Sequence, residues 1–196
     1  MIISFRSHYQ FLWRGILAGV AISIGGLIYL RVGGVAGAAL FSVGLLAVVF
    51  HSLLLFTGKS GDCGSRGDLG RLALILLLNI VGCALFSLLI DPGEAVRQAA
   101  EAIVMKRAES GIVSGLGNGI GCGFIMTLAV HAARKQHYWP LLIGIPAFIM
   151  AGFTHCIADA FYYSVAWSVI TPASLATYAL TVIGNFIGCN LYRCAD

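Results

Sequence analysis

The chain has 196 residues, of which 59% are hydrophobic and only 10% are charged. Soluble domains carry about 25% charged residues, so the composition excludes a secreted disulfide scaffold, a disordered tail and a nucleic-acid-binding protein. The formal net charge of +4 is the kind of excess that reports loop topology in a membrane protein.

Six apolar stretches follow one another, each close to the roughly 20 residues that a helix needs to cross a bilayer. They cover residues 11–30, 37–57, 72–90, 111–133, 140–162 and 173–192. Backbone groups in lipid must be satisfied internally, and the sequence has no alternating barrel-strand pattern, so these stretches are predicted to be helices. We therefore predict an all-α polytopic membrane protein with six transmembrane helices in one domain, residues 1–196.

The basic residues predict the orientation of these helices. Eight Lys and Arg residues fall on the side of the N-terminus and four fall on the other side. Cytoplasmic loops carry the excess of positive charge, so both termini are predicted to be cytoplasmic. The expected location is a cell membrane, of the bacterial inner-membrane type.

Two connectors have distinct patterns. Residues 92–110 carry apolar side chains at helical spacing, which predicts an amphipathic helix lying on the outer surface. Residues 58–70 are rich in glycine and polar residues, which predicts a flexible connector.

Short matches indicate an internal repeat. Asn79 and Asn185 begin similar Asn-x-x-Gly-Cys strings 106 residues apart, and the Phe-Thr pair at 56–57 recurs 97 residues later at 153–154. Halves of three spans each, about 1–91 and 111–196, must cross the membrane in opposite directions. Such inverted three-helix repeats bring a transport site to the middle of the membrane.

Polar residues gather where the repeat predicts them. His155 lies within the fifth apolar stretch, and Asp159 follows one helical turn later on the same face. Titratable groups at such depth normally face a water-filled path or a partner. Gly152 and Pro146 favour a break in the fifth helix, and Gly58 favours one at the end of the second. Asp159 either holds positive charge on His155 or is itself protonated, and the sequence leaves both alternatives open.

The cysteines and glycines do not indicate a cofactor. No two of the six cysteines are spaced as CxxC, and four of them lie in apolar stretches, where a thiol behaves as a small hydrophobe. The alternating glycines of residues 115–123 contain a dinucleotide-loop pattern, but without a preceding strand they indicate close helix packing. We predict no metal and no cofactor.

With these strings in place, the chain resembles the formate/nitrite transporter family of small monovalent-anion channels. The similarity extends from about residue 11 to 192. It rests on Leu-Phe-Thr-Gly at 55–58, Gly-Phe-Thr-His-Cys-Ile-Ala-Asp at 152–159, residues 122–130 and Gly-Asn-Phe-Ile-Gly at 184–188.

The resemblance implies a homopentamer with a pore in each protomer, in which Thr57 and His155 face each other at the pore centre beside Asp159. It implies apolar constrictions on both sides of that centre, formed by Phe41, Leu45, Leu55, Phe56, Met126 and Phe148. It also implies a basic pore entrance, for which Lys59, Lys106 and Arg107 are the candidates.

The chain departs from the family pattern as well. Asp159 stands where the family usually has Asn, and the segments after Thr57 and His155 look too short for the half-helices that normally follow each break. These departures indicate a divergent, shortened member of the family.

The expected partners are the lipid bilayer and a small monovalent anion of the formate, nitrite or hydrosulfide type, with no nucleic acid. An imidazole at the pore centre either helps to protonate a weak-acid anion or attracts it as imidazolium. Two other functions stay open: an intramembrane enzyme using His155 and Asp159 with Ser164 or Cys156, and a structural membrane subunit without transport.

Overall fold

The computed structural model describes the backbone of residues 2–194 and the side chains of residues 8–194. Within these residues the chain forms eight α-helices and two short 3-10 turns, Trp167–Val169 and Leu191–Cys194. The helices are α1 Ile2–Val32, α2 Gly34–Phe50, α3 Phe56–Ser60, α4 Arg66–Leu89, α5 Glu94–Arg134, α6 Trp139–Met150, α7 Cys156–Val165 and α8 Pro172–Asn190.

In the part of the chain that the structure describes, four helical segments are long and apolar enough to cross a membrane. They lie in His8–Val32 of α1, in α4, in α5, and in Pro172–Cys194, which contains α8. The apolar helices α2 and α6 are shorter, with 17 and 12 residues. The prediction of an all-helical membrane protein is confirmed at this level.

Two of the apolar stretches are interrupted in the same way. The helix stops after Phe50 and after Met150, and five non-helical residues follow in each case before α3 and α7 begin. Ser52 and Gly152, each second after its helix, adopt left-handed φ angles of 50° and 79°. The predicted breaks in the second and fifth stretches are therefore present. The expectation that these segments are too short for half-helices is wrong, because α3, with five residues, and α7, with ten, begin directly after the breaks.

An asparagine side chain anchors each break. The Asn79 Oδ1 atom accepts from the Phe56 N–H at 2.9 Å, and its amide donates to the carbonyls of Gly15 and Leu54, both at 2.8 Å. Asn79 is fully buried. Its three hydrogen bonds tie the break to α1 and α4 and give partners to buried backbone groups of the break.

Asn185 makes the equivalent three bonds in the second half. Its Oδ1 atom accepts from the Cys156 N–H at 2.9 Å, and its amide donates to the carbonyls of Gly119 and Thr154 at 2.9 Å and 2.8 Å. The anchored break residues therefore lie 100 positions apart, so His155 corresponds to Leu55. The offset of 97 taken from the two Phe-Thr pairs is wrong, because those pairs occupy different places in their breaks.

Glycines bring the helices of each half into backbone contact. A Cβ atom added to Gly82 of α4 would lie 2.1 Å from the Ile16 carbonyl oxygen of α1. One added to Gly188 of α8 would lie at the same distance from the Ile120 oxygen of α5. Small residues allow such close crossings in apolar bundles. Among the glycines predicted to pack, a Cβ atom would lie 2.8 Å from the Thr181 carbonyl oxygen at Gly119 and 2.3 Å from the Asn185 carbonyl oxygen at Gly123, whereas at Gly117 it would meet nothing within 4 Å.

The connector before the second half is a helix, but its environment differs from the prediction. Residues 94–110 form the first part of α5, which is interrupted at Gly111 by a left-handed φ of 76°. Val96, Ala100 and Val104 are buried against the protein. The apolar face of this helix therefore packs against other helices of the chain and not against lipid, and its location on the outer surface stays a prediction.

The glycine-rich connector is also more ordered than predicted. Gly58 lies within α3, and α4 already begins at Arg66. The Ser65 hydroxyl accepts from the Asp68 N–H, and the Asp68 carboxylate accepts from the Ser65 N–H at 2.9 Å. This capping box satisfies the first turn of α4, so the glycines at 67 and 70 are helical.

The close crossing of α5 and α8 generates a stability prediction. We expect Gly188→Ala to lower the stability of the detergent-solubilised protein by about 1–3 kcal/mol, because the added methyl group collides with backbone and forces the helices apart. Gly117→Ala is the matched control, since a Cβ atom there has nothing within 4 Å. Thermal unfolding followed by circular dichroism measures both, and equal melting temperatures would contradict the prediction.

Candidate functional site

The two breaks meet at a hydrogen bond between side chains from opposite halves of the chain. The Thr57 Oγ1 atom lies 3.0 Å from the His155 Nε2 atom. Both residues are buried, with 1% and 2% of their surface exposed. The structure therefore brings together the two residues that the sequence predicts for the pore centre.

The position of His155 at the start of α7 fixes which ring nitrogen carries the proton. His155 is the N-cap residue, and its Nδ1 atom accepts from the Ala158 N–H at 3.2 Å. An accepting Nδ1 must be unprotonated, so the neutral ring carries its proton on Nε2 and donates it to Thr57 Oγ1. The Thr57 hydroxyl has no other hydrogen bond within the described residues, so its own proton is available to a third group.

A cavity of about 150 Å³ opens on one side of this hydrogen bond, and we call it the far cavity. His155 and Asp159 line it together with the aromatic rings of Phe41 and Phe148. The Phe148 ring stacks on the imidazole with 6.0 Å between centroids and meets the Phe41 ring edge-on at 6.5 Å. The remaining lining residues are Tyr29, Ile103, Lys106, Arg107, Ile149, Gly152, Phe153, Ala158 and Tyr162.

A second cavity of about 140 Å³ opens at the other end of the bundle, and we call it the near cavity. Leu45 and Leu55 form its apolar floor, and Lys59, Arg14 and Arg134 contribute positive charge. Arg14 of the near cavity and Tyr29 of the far cavity are 15 residues apart on α1, which corresponds to about 22 Å along a helix. The two cavities therefore approach the centre from opposite ends.

The section between the cavities is short and closed. Phe41 lines the far cavity and Leu45 lines the near one, although they are separated by only about 6 Å of helix rise. Four of the six predicted constriction residues thus lie at the ends of this section. Phe56 and Met126 are buried as well, but neither lines the far cavity or the near cavity.

The mouth of the near cavity carries an ion-pair cluster. The Arg134 guanidinium donates to both Asp62 carboxylate oxygens, at 2.8 Å and 2.7 Å, and to the Gly58 carbonyl. Lys59 lies 3.7 Å from the same carboxylate. Hydrogen bonding from Arg134 is the main reason that the pKa of Asp62 lies below its usual value. The cluster ties the end of α3 to the end of α5.

Asp159 has a different partner from the one expected. Its Oδ2 atom lies 3.3 Å from Nε of Arg107, and its Oδ1 atom accepts from the Arg107 guanidinium at 3.4 Å. His155 and Asp159 line the same cavity, as their spacing predicts, but the hydrogen-bond partners of the imidazole are Thr57 and Ala158. The carboxylate therefore compensates a cation that lies 52 positions away in the chain.

Two buried cysteines connect the halves of the chain, a role that the sequence did not reveal. The Cys83 thiol donates to the Ile157 carbonyl at 3.4 Å, and the Cys189 thiol donates to the Thr57 carbonyl at 3.3 Å. Each thiol also reaches a glycine carbonyl within its own half. The sequence signal that could have indicated this role is that both cysteines end an Asn-x-x-Gly-Cys string.

The geometry does not support the enzyme alternative. The Ser164 hydroxyl donates to the Ala160 carbonyl, and the Nε2 atom of His155 contacts Thr57. Cys156 is fully buried. Within residues 8–194, where side chains are described, no three His, Cys, Asp or Glu side chains come together in an arrangement that could hold a metal ion.

Two solved channels are similar in fold to this chain. A structure described as a pentameric formate channel with formate bound has a TM-score of 0.84 and 18% sequence identity, covering 97% of this chain and 96% of that one. A structure described as an FNT family ion channel has a TM-score of 0.83 and 16% identity, covering 99% and 93%.

Comparison at the level of sequence gives the family. No curated protein sequence matches the chain. The family profile described as formate/nitrite transporter matches residues 4–192, which is nearly the whole sequence. The chain is a multi-pass membrane protein that belongs to the formate/nitrite transporter family.

Proposed function

We propose that the protein conducts small monovalent anions and their weak acids, of the formate, nitrite or hydrosulfide type, through a pore within each protomer. The observation that carries this proposal is the pair of cavities that approach the Thr57–His155 hydrogen bond from opposite ends. The family to which the chain belongs supports the same function. Transport rather than catalysis is the activity expected of this fold.

The architecture that we propose has six spans in two inverted repeats of three. The first half comprises α1, α2 with α3, and α4; the second comprises α5 after Gly111, α6 with α7, and α8. The equivalent hydrogen bonds of Asn79 and Asn185 support this assignment. We propose a homopentamer, because one similar structure is described as a pentameric formate channel.

The near cavity is assigned to the cytoplasmic side. Phe11 packs under Arg71, and Arg193 donates to the Cys63 carbonyl, so both ends of the described chain lie at the end of the bundle where α4 begins. The excess of Lys and Arg on this side supports cytoplasmic termini. The proposed membrane is the bacterial inner membrane.

The closed section sets the selectivity. An isolated ion pays a large desolvation penalty in a narrow apolar passage, whereas a neutral weak acid does not. Phe41 and Phe148 on the far side, and Leu45 and Leu55 on the near side, are the proposed constrictions, with Phe56 and Met126 between them. Lys106 at one end and Lys59 at the other draw anions toward this passage by charge, and Arg107, paired with Asp159, lies beside Lys106 at the far entrance.

The centre of the pore then acts through hydrogen bonds. Imidazolium would place a donor against the Ala158 N–H and a positive charge at the positive end of α7, so the geometry favours a neutral ring. Neutral His155 donates to Thr57, and the Thr57 hydroxyl donates to the anion in turn. Of the two roles open to this histidine, assistance to protonation is the one we propose. The ring keeps its Nε2 proton and strengthens the Thr57 hydroxyl as a donor to the anion, while the proton that forms the weak acid comes from the solution that enters the cavities.

Flux into proteoliposomes tests the proposal. The protein should carry labelled formate, and Thr57→Val should lower the rate about tenfold, because the loss of a buried donor to a charged group corresponds to at least that factor. Thr57→Ser keeps the hydroxyl and is the matched control, with a rate close to that of the parent. Equal rates for the Val and Ser variants would contradict the role of Thr57, and no formate flux in the parent would contradict the function.

The aromatic constriction generates a prediction about size. Phe148→Ala should admit acetate and lactate at rates at least several times those of the parent, because a large ring at the end of the closed section is removed. Phe124→Ala is the matched control, since this ring stacks on Tyr192 and lines neither cavity. Equal exclusion of acetate by both variants would show that Phe148 is not a constriction.

A further inference from the structure

The far cavity contains a cation whose charge is already balanced. Arg107 and Asp159 form an ion pair in which only 17% and 2% of the side-chain surfaces are exposed. The pair lines the cavity beside His155 and Phe148, on the route to the closed section. The Arg107 Nε–H is buried and makes no well-aligned hydrogen bond. The guanidinium therefore has donor capacity that Asp159 does not use.

The chemistry of this pair matches that of the proposed substrate. Asp159 offers Arg107 a carboxylate, and formate would offer it the same group. A buried guanidinium without a partner is costly, so removal of its carboxylate makes any small anion that fits the cavity a favourable replacement. Arg107 binds carboxylates with a planar fork of donors, which makes it a stronger anion ligand than the more exposed Lys106.

We propose that Asp159 is a tethered competitor of the substrate anion for Arg107, and that this competition keeps the far cavity from retaining the anions that it passes. The proposal rests on the proposed function, since it concerns how anions cross the far cavity. Conduction requires that an ion bind well enough to enter and weakly enough to leave. Asp159 shifts that balance toward release, and is thereby a specificity-determining residue of the pore.

The competition predicts opposite effects on affinity and on maximal rate. In Asp159→Asn the uncompensated Arg107 should hold formate, so the half-saturating formate concentration should fall about tenfold, as expected for a gained charge-assisted hydrogen bond. The maximal flux should fall as well, because release becomes slower. A purely structural role for Asp159 would lower the flux without tightening formate binding.

The experiment measures flux in proteoliposomes and, separately, the stabilisation of the detergent-solubilised protein by sodium formate. Ionic strength is held constant with gluconate, which is too bulky to serve as the small anion. Glu109→Gln is the matched control, because it removes an exposed carboxylate from the same helix without touching Arg107. It should keep the half-saturating concentrations of the parent.

The double variant Arg107→Gln with Asp159→Asn completes the test. It removes both charges at once, so its half-saturating concentration should return toward that of the parent. An Asp159→Asn protein that binds formate as weakly as the parent would overturn the proposal, even if the parent transports formate. A parent that carries no formate would instead overturn the proposed function.

Assembly of the single variant is checked by size-exclusion chromatography. If Asp159→Asn does not assemble, Arg107→Gln is compared with the double variant. Arg107→Gln leaves Asp159 as an unpaired carboxylate that repels anions, so it should require more formate than the double variant for the same stabilisation. Equal requirements in these two proteins would overturn the proposal.

Discussion

The structure depends on hydrogen bonds to the backbone groups at two places where helices stop inside an apolar bundle. A break at this depth leaves N–H and carbonyl groups that neither lipid nor water can satisfy. Asn79 and Asn185 supply the missing partners, each with one accepting oxygen and two donated hydrogens. Because each amide bonds to the break and to a neighbouring helix, it fixes the position of the break within its half.

The same scaffold carries different chemistry in its two halves. Leu55 and His155 occupy equivalent N-cap positions, one hundred residues apart, with extended backbones. Leu55 faces the near cavity as an apolar surface, whereas His155 faces the far cavity and caps α7 with its ring. The cysteines at 83 and 189 join the two breaks through carbonyls of the opposite half. Two breaks anchored by equivalent hydrogen bonds therefore carry different side chains at their matching N-cap positions.

Local patterns in the sequence predicted much of this arrangement. The breaks could be predicted because glycine and polar residues interrupt apolar stretches, and the site because His155 and Asp159 lie in the middle of one. The partner of Asp159 could not be predicted, because Arg107 lies in the connector of residues 92–110 and only tertiary packing brings it close. The burial of residues 94–110 was missed for the same reason, since an amphipathic pattern does not distinguish a membrane surface from a protein surface.

The charged side chains along the proposed pathway differ in their exposure, and those that are more buried are more strictly paired. At the near end, Arg134, Lys59 and Asp62 are partly exposed and share charge in a cluster that water can solvate. At the far cavity, Arg107 is largely buried and is paired with Asp159. At the centre the groups are a hydroxyl and an imidazole, whose hydrogen bond needs no counter-ion. A charged side chain at the centre would require a buried counter-ion inside the closed section. Neutral hydrogen-bond donors need no counter-ion, so with them this section can be both closed and polar.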